Sequence, residues 1–449
     1  MSRITDAIKT VTADGVVTAD EWRTALQPEL NGLPKRASTD TRALAEMFAS
    51  DQFTMEAGAR SGLRSSLLGF GYDTPAQRPA NQTPVQFLDG LVKSNVSERD
   101  AEFDRLAAAT GKDKDEVTVA VLNGGFDVSH DNLDGKLWTN AGEVAGDGID
   151  NDGNGLVDDV HGWDFAQRDS DVKGLTHGTH VTGIATRGTD RINSIVNRVF
   201  DNDLSGQEIA EAIDYAASHG ARVMNMSFRV NDPEELKPIV EAMKRHPEVL
   251  FVKSAGNDGD NPAGTQKPQP GAPGDLSRYD PNAYLARQQL PNLAVVSAAD
   301  PDGTIADYSN WGAPYSTHAA VGSDVLSSVD GDRYQQMSGT SMAAPTFENA
   351  VAKMLLLDDK LTPEQLKGML ADTTDVSEHW KDLTASGGII NADRAMRLSA
   401  LTGLIRGGTD PQQAADQIGL AGAERDQLLT LAAKYVPFPP PAQECRSAA

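Results

Sequence analysis

The chain reads as an α/β protein: a parallel sheet with helices on both faces. Three observations predict this. From Glu116 onward, short β-branched runs alternate with amphipathic helical stretches. The runs are near-continuously apolar, as strands covered on both faces are. The polar residues suited to chemistry, Asn123, Ser227 and Asn257, fall just after such runs. In parallel sheets the working groups sit at those carboxyl ends. A helical N-terminal region (1–110) and a short helical C-terminal tail (403–449) flank the sheet domain (111–402).

In the N-terminal region, Asp40–Ser50 and Ser97–Thr110 carry apolar residues at helical spacing. Tyr72–Pro84 between them is a Pro-rich linker. Asp14–Glu21 looks like the back half of an EF-hand loop. Thr10 and Thr12 stand where that loop needs acids, so a turn into a capped helix is the better reading. Val117–Leu122 reads as a buried strand ending in a turn at Asn123-Gly124-Gly125. Helix Gly206–His219, strand Ala221–Met226, helix Glu234–Arg245, strand Val249–Ser254 and strand Leu293–Ala298 follow. The stretch Gly339-Thr340-Ser341-Met342-Ala343-Ala344-Pro345 opens a helix reaching Leu357. Ser386–Ala392 is a turn into another helix, and the tail ends in the Pro-rich Phe438–Ala442.

Bulk properties narrow the function. The formal charge is -25, from 40 Lys+Arg against 65 Asp+Glu. This argues against nucleic acid and anionic membrane and suits cation binding. No apolar run is long enough for a membrane-spanning helix. The only cysteine is Cys445, so no internal disulfide forms. Met1–Asp6 lacks the apolar core of a secretory signal. The expectation is a cytoplasmic protein, or one exported without a recognisable leader.

Ser341 lies between a glycine turn and a run of small residues, where a helix aims its N-terminal dipole. Alone it reads as a helix cap. His177-Gly178-Thr179-His180 places an imidazole at a loose turn before a helix, suited to a mobile base; His180 reads as structural. Asn257 ends a strand with an amide that can donate to an oxyanion.

Together, His177-Gly-Thr-His-Val-x-Gly, Asn225-Met-Ser227, Ala255-Gly-Asn257, Gly-Thr-Ser341-Met-Ala-Ala-Pro and Ser386-Gly-Gly-x-x-Asn-Ala resemble the subtilisin-like serine proteases. The resemblance covers residues 115 to 400. It implies a seven-stranded parallel sheet and endopeptidase activity on peptides or proteins. By it, Ser341 is the nucleophile, His177 the base and Asn257 the oxyanion donor. Residues 1–110 would then be a regulatory or pro-segment, by position alone.

One departure matters. The family's strand ends in an aspartate; here Asn123 stands at the acid's position, and Asp127 lies four residues on, out of reach of the imidazole. If the NH₂ of Asn123 faces the ring, the wrong tautomer is favoured, and nothing offsets the imidazolium. In subtilisin, losing this acid costs about 3 × 10⁴ in rate, or roughly 6 kcal/mol. The expectation is a weakened endopeptidase; the alternative is a catalytically silent homologue that binds peptides or a partner protein. Asn123-Gly124 is also a deamidation-prone pair, whose hydrolysis would create the missing acid.

The substrate side deviates as well. Ser227 is followed by Phe228 and Arg229, where the family has Leu-Gly. With Ser254, Ala255 and Gly256 these form the expected peptide-binding strands. Arg229 and Lys253 either shape the specificity pocket, favouring an acidic substrate residue, or are solvated cations at its rim. Finally, Asp150, Asp152 and Asn154, with Gly155 in sixth position, resemble the front of an EF-hand loop, and Asp158 can close it. Some subtilases carry a similar acidic insertion. Ca²⁺ is the expected ion.

Overall fold

The computed structural model describes residues 99–201, 205–230, 232–261, 267–277 and 283–436, plus the strand pair Val16–Val17 and Thr54–Met55. The expected helix at Asp40–Ser50, the linker Tyr72–Pro84 and Phe438–Ala442 lie outside the described residues, as does all of Asp14–Glu21 except Val16–Val17. The chain forms two units. The larger holds residues 99–323, 329–331 and 339–449; the smaller holds 1–98, 324–328 and 332–338.

In order, the elements are α1 (Ala101–Thr110), β1 (Val117–Asn123), α2 (Thr176–Ala185), β2 (Ile192–Arg198), α3 (Gly206–Ser218), β3 (Val223–Met226), α4 (Pro233–Arg245), β4 (Leu250–Ser254), α5 (Ala283–Arg287), β5 (Leu293–Ala299), β6 (His318–Val321), β7 (Val325–Val329), β8 (Arg333–Met337), α6 (Thr340–Leu357), α7 (Pro363–Asp372), β9 (Asp375–Val376), β10 (Gly388–Ile389), α8 (Ala392–Arg406), α9 (Pro411–Gln417) and α10 (Gly422–Tyr435). Among the described residues, β7 and β8 form a separate two-stranded sheet. The main sheet runs β9-β10-β6-β5-β4-β3-β1-β2. Every neighbouring pair is parallel except β9–β10. The parallel strands thus number seven, and the two-residue β9 adds an antiparallel edge.

Period-two alternation splits the strands between two cores. Val119, Val223, Val252 and Val296 face one side, with α1 and α6 to α10. Ala120, Met224, Phe251 and Val295 face the other, with α3, α4 and α5. Burial on both faces is why these strands read as unbroken apolar runs. α6 lies against the sheet with almost every residue buried, Ser341 being one of the few that is not. Ala414, Ile418, Leu428 and Ala432 join the core around α6. The C-terminal helices up to Tyr435, and α1 at the other end, are therefore built into the sheet domain rather than standing apart. β2 was not legible because Asn193, Ser194 and Asn197 interrupt its apolar pattern; Asn197 is buried because its Nδ2 donates to the Ala212 carbonyl at 3.2 Å. Among the described residues, no helix is long and apolar enough to cross a membrane.

Candidate active site

Three chain segments meet at the carboxyl edge of the sheet. β1 delivers Asn123 as its last residue, wholly buried. α2 delivers His177 in its first turn. The glycine after His177 is needed there: a Cβ on Gly178 would stand 2.2 Å from the Gly125 carbonyl oxygen and 2.8 Å from the Phe126 ring. Without a side chain, α2 seats directly on the end of β1, and the imidazole reaches Asn123.

Asn123 Oδ1 lies 3.0 Å from His177 Nδ1 and accepts the Gly124 N–H at 2.9 Å. The second contact fixes the amide, because flipping it would set NH₂ against N–H. The ring therefore carries its proton on Nδ1 and leaves the Nε2 lone pair for a hydroxyl. Of the two orientations open to the amide, the oxygen faces the ring, so the condition for the wrong tautomer is not met. What is missing is charge. Burial alone, with no carboxylate beside it, pushes the His177 pKa down to about 4. Among the described residues Asn123 Nδ2 has no hydrogen-bond partner. Asp127 is engaged elsewhere, by Ser129 and the Gly331 N–H at 2.7 Å. His180 is wholly buried, as a structural histidine is.

Ser341 is the second residue of α6, and a proline sets its surroundings. Pro345 has no N–H, so the Ser341 carbonyl lacks its ordinary helical partner four residues on. It accepts instead from Ser227 Oγ at 3.2 Å. Ser341 Oγ donates to the Ser227 carbonyl at 3.3 Å. Among the described residues' hydrogen bonds, none joins Ser341 to His177. The bond it makes is long, and a rotation about χ1 is the movement that aims the hydroxyl elsewhere.

The segment that carries Asn257 is tied more closely to the start of α6. Asn257 Oδ1 accepts both the backbone N–H and the hydroxyl of Thr340, each at 2.9 Å. That locks the amide and leaves Nδ2 to donate. Asn257 is exposed. The Ser341 N–H, at the start of α6, has no carbonyl of its own helix to meet. Both nitrogens surround one position: a Cβ built on Gly339 would stand 3.4 Å from Asn257 Nδ2 and 3.6 Å from the Ser341 nitrogen. Thr340, not anticipated from the sequence, is the clamp that aligns them. Its hydroxyl also accepts from the Gly256 N–H at 3.1 Å. Gly256 has φ 107, a conformation that favours glycine.

The peptide-binding candidates divide. Ala255 is buried, and Phe228 packs edge-on against Phe200 at 5.6 Å. Arg229 is exposed and paired with Asp258 at 2.6 Å. Lys253 corrects the solvated reading: it is 4% exposed, and Nζ donates to the Ser254 carbonyl at 2.8 Å and the Ser254 hydroxyl at 3.2 Å. Burial lowers its pKa to about 7. Glu348 was also missed. It is wholly buried on α6, seven residues beyond Ser341, near Asn225 of β3, and burial raises its pKa well above the ordinary range. A lone carboxylate in an apolar helix was the signal.

In the acidic loop, ligand oxygens of Glu143, Asp150 and Asp152 lie within 4.8 Å of one another. Glu143 was not anticipated. Asp158 is turned away, accepting from the Gly146 and Gly148 N–H groups. Asn154 Oδ1 accepts the Leu156 N–H, and its Nδ2 donates to Asp152 and Asp159. An all-oxygen carboxylate set suits a hard divalent cation.

The profile of the Subtilase family matches residues 114–397. The chain belongs to that family. This subtilase is 31% identical over 241 residues to a thermophilic serine proteinase of Bacillus sp. (strain AK1), covering 51% of this chain and 49% of that one. It is 33% identical over 269 residues to halolysin of Haloferax mediterranei, covering 57% and 44% respectively. A cold adapted subtilisin-like serine proteinase of known crystal structure superposes on 62% of this chain and 87% of its own, with TM-score 0.44 and 22% identity. The subtilase spans about half the length of the curated relatives it matches.

Proposed function

We propose that this subtilase is a serine endopeptidase that lacks the negative charge of its triad. Ser341 Oγ attacks the peptide carbonyl as His177 Nε2 takes its proton. Asn257 Nδ2 and the Ser341 N–H hold the oxyanion. The imidazolium returns the proton to the leaving amine, and water, deprotonated by the same nitrogen, releases the acyl group from Ser341. Asn123 orients the ring but offers the imidazolium no opposite charge. The observation that carries this reading is the Asn123 Oδ1 to His177 Nδ1 contact, which leaves the Nε2 lone pair free to accept a proton. The test is a serine-directed phosphonate. Labelling of Ser341 that disappears in His177→Ala supports it; unlabelled protein, or labelling indifferent to His177→Ala, refutes it.

One observation favours a second reading. Ser341 Oγ is turned to Ser227 and not to His177, as in a silent homologue that only binds peptides. That reading predicts no hydrolysis even after Asn123→Asp. Two further assignments accompany the first. Glu143, Asp150 and Asp152 would hold Ca²⁺, which would offset their mutual repulsion and brace the loop. Residues up to 98 would act as a regulatory or pro-segment, tested by comparing the activity of the chain with one beginning at Arg99.

A further inference from the structure

We propose that Arg229, held by Asp258 and backed by Lys253, forms a subsite that selects peptides with an acidic side chain beside the bond to be cut. This rests on the reading of the cleft as peptide-binding. Both segments that carry the pair touch the nucleophile's turn. Ser227, two residues before Arg229, exchanges hydrogen bonds with Ser341. Asn257, adjacent to Asp258, is bound to Thr340. The ion pair of 2.6 Å therefore spans the two strands of backbone flanking the serine. A substrate side chain bound next to the attacked carbonyl must pass this bridge.

The two partners are not equally fixed. Asp258 is tethered by Asn310, which donates through Nδ2 to its carboxylate at 3.0 Å and accepts its backbone N–H at 2.8 Å. Arg229 is the long, flexible partner, its side chain 47% exposed. Exposed ion pairs contribute only about 0–1 kcal/mol, so turning Arg229 from Asp258 to an incoming carboxylate gives up little from that pair. A guanidinium then binds that carboxylate through two parallel N–H bonds. Lys253 biases the exchange. Its charge is within electrostatic reach of both partners and is held in place by Ser254. An acidic side chain adds a second carboxylate beside the Arg229 guanidinium and, below about pH 7, the Lys253 ammonium. An apolar side chain gains nothing from them and must displace the bridge.

The test uses peptides that differ only in the residue before the bond to be cut: Glu, Gln or Leu. Binding is followed by fluorescence anisotropy on the full chain carrying Ser341→Ala, so that it does not depend on turnover. In parallel, phosphonates with the same side chains label the unmodified chain. The expected result is tighter binding of Glu over Gln by about 10-fold, falling to near parity in Arg229→Gln, which keeps the aliphatic stem, and in Arg229→Gly. Asp258→Asn should widen the preference. Equal binding of Glu and Gln, a preference that survives both Arg229 variants, or no binding of any peptide would overturn the subsite. Glu-selective binding without any labelling of Ser341 would sustain the subsite and defeat the endopeptidase reading. Labelling without Glu selectivity would do the reverse.

Discussion

Asn123→Asp should restore the missing charge, and the size of the gain can be worked from the site. Asn123 Oδ1 stands 3.0 Å from His177 Nδ1. A carboxylate there places opposite charges about 4 Å apart, which is about 4 kcal/mol at an effective dielectric near 20. One pKa unit is about 1.4 kcal/mol. The imidazole should therefore rise from about 4 to a value near 7. The same energy stabilises the imidazolium in the transition state, a gain of about 10³ in rate. This is below the factor of about 3 × 10⁴ measured for loss of the acid in subtilisin. The difference is expected, because Asn123 already fixes the tautomer that a misplaced amide would lose. The assay is kcat/KM on a chromogenic peptide, with the His177 titration followed by NMR. The pH profiles should also differ. In the chain as it stands His177 is neutral above its pKa, so kcat/KM is flat from pH 5 to 8 and falls only as pH drops through about 4. In Asn123→Asp it should rise with pH through about 7. A gain below tenfold, or a His177 titration that stays near 4, would refute the electrostatic account.

Other consequences can be tested together. His177 and His318 are both buried neutral, with pKa values lowered to about 4. Unfolding lets each take a proton, so their contribution is complete above pH 6.5 and lost as pH falls toward 4, at up to about 1.4 kcal/mol per group per pH unit; urea melts should show His318→Gln flattening that acid limb. Glu348 has the opposite sign, its folded pKa lying above the unfolded one. Its contribution is complete below 4.5 and is lost as pH rises, so Glu348→Gln should gain on the parent by up to about 1.4 kcal/mol per pH unit above 4.5, and a pH-independent difference would refute this. Ca²⁺ at 100 times its Kd should add about 2.7 kcal/mol of stability, read as a higher Tm than in EGTA; Asp150→Asn should abolish the shift and Asp158→Asn should leave it. Asn123 is buried at a strand end, and its amide should persist; intact mass after ageing at pH 8.5 should show no one-dalton gain.

The sequence by itself determined the scaffold and the cast of groups. Val117–Leu122, Val249–Ser254 and Leu293–Ala298 announced buried strands because both faces of a parallel sheet exclude water. His177, Ser341 and Asn257 were legible because their close packing demands glycine and small neighbours at fixed spacing. Asn123 was visible as a departure at the position of an acid. Only the tertiary structure decided how these groups are aimed. The amide of Asn123 turns its oxygen to His177 because the Gly124 N–H, brought there by the strand's end, claims the same oxygen. Lys253 is buried and Arg229 is paired because segments distant in the chain close around them. Glu143 meets Asp150 and Asp152 through the folding of its loop, and Asp158 leaves them. Residue type and periodicity set which groups are present. Direction, pairing and charge balance depend on neighbours that only folding supplies.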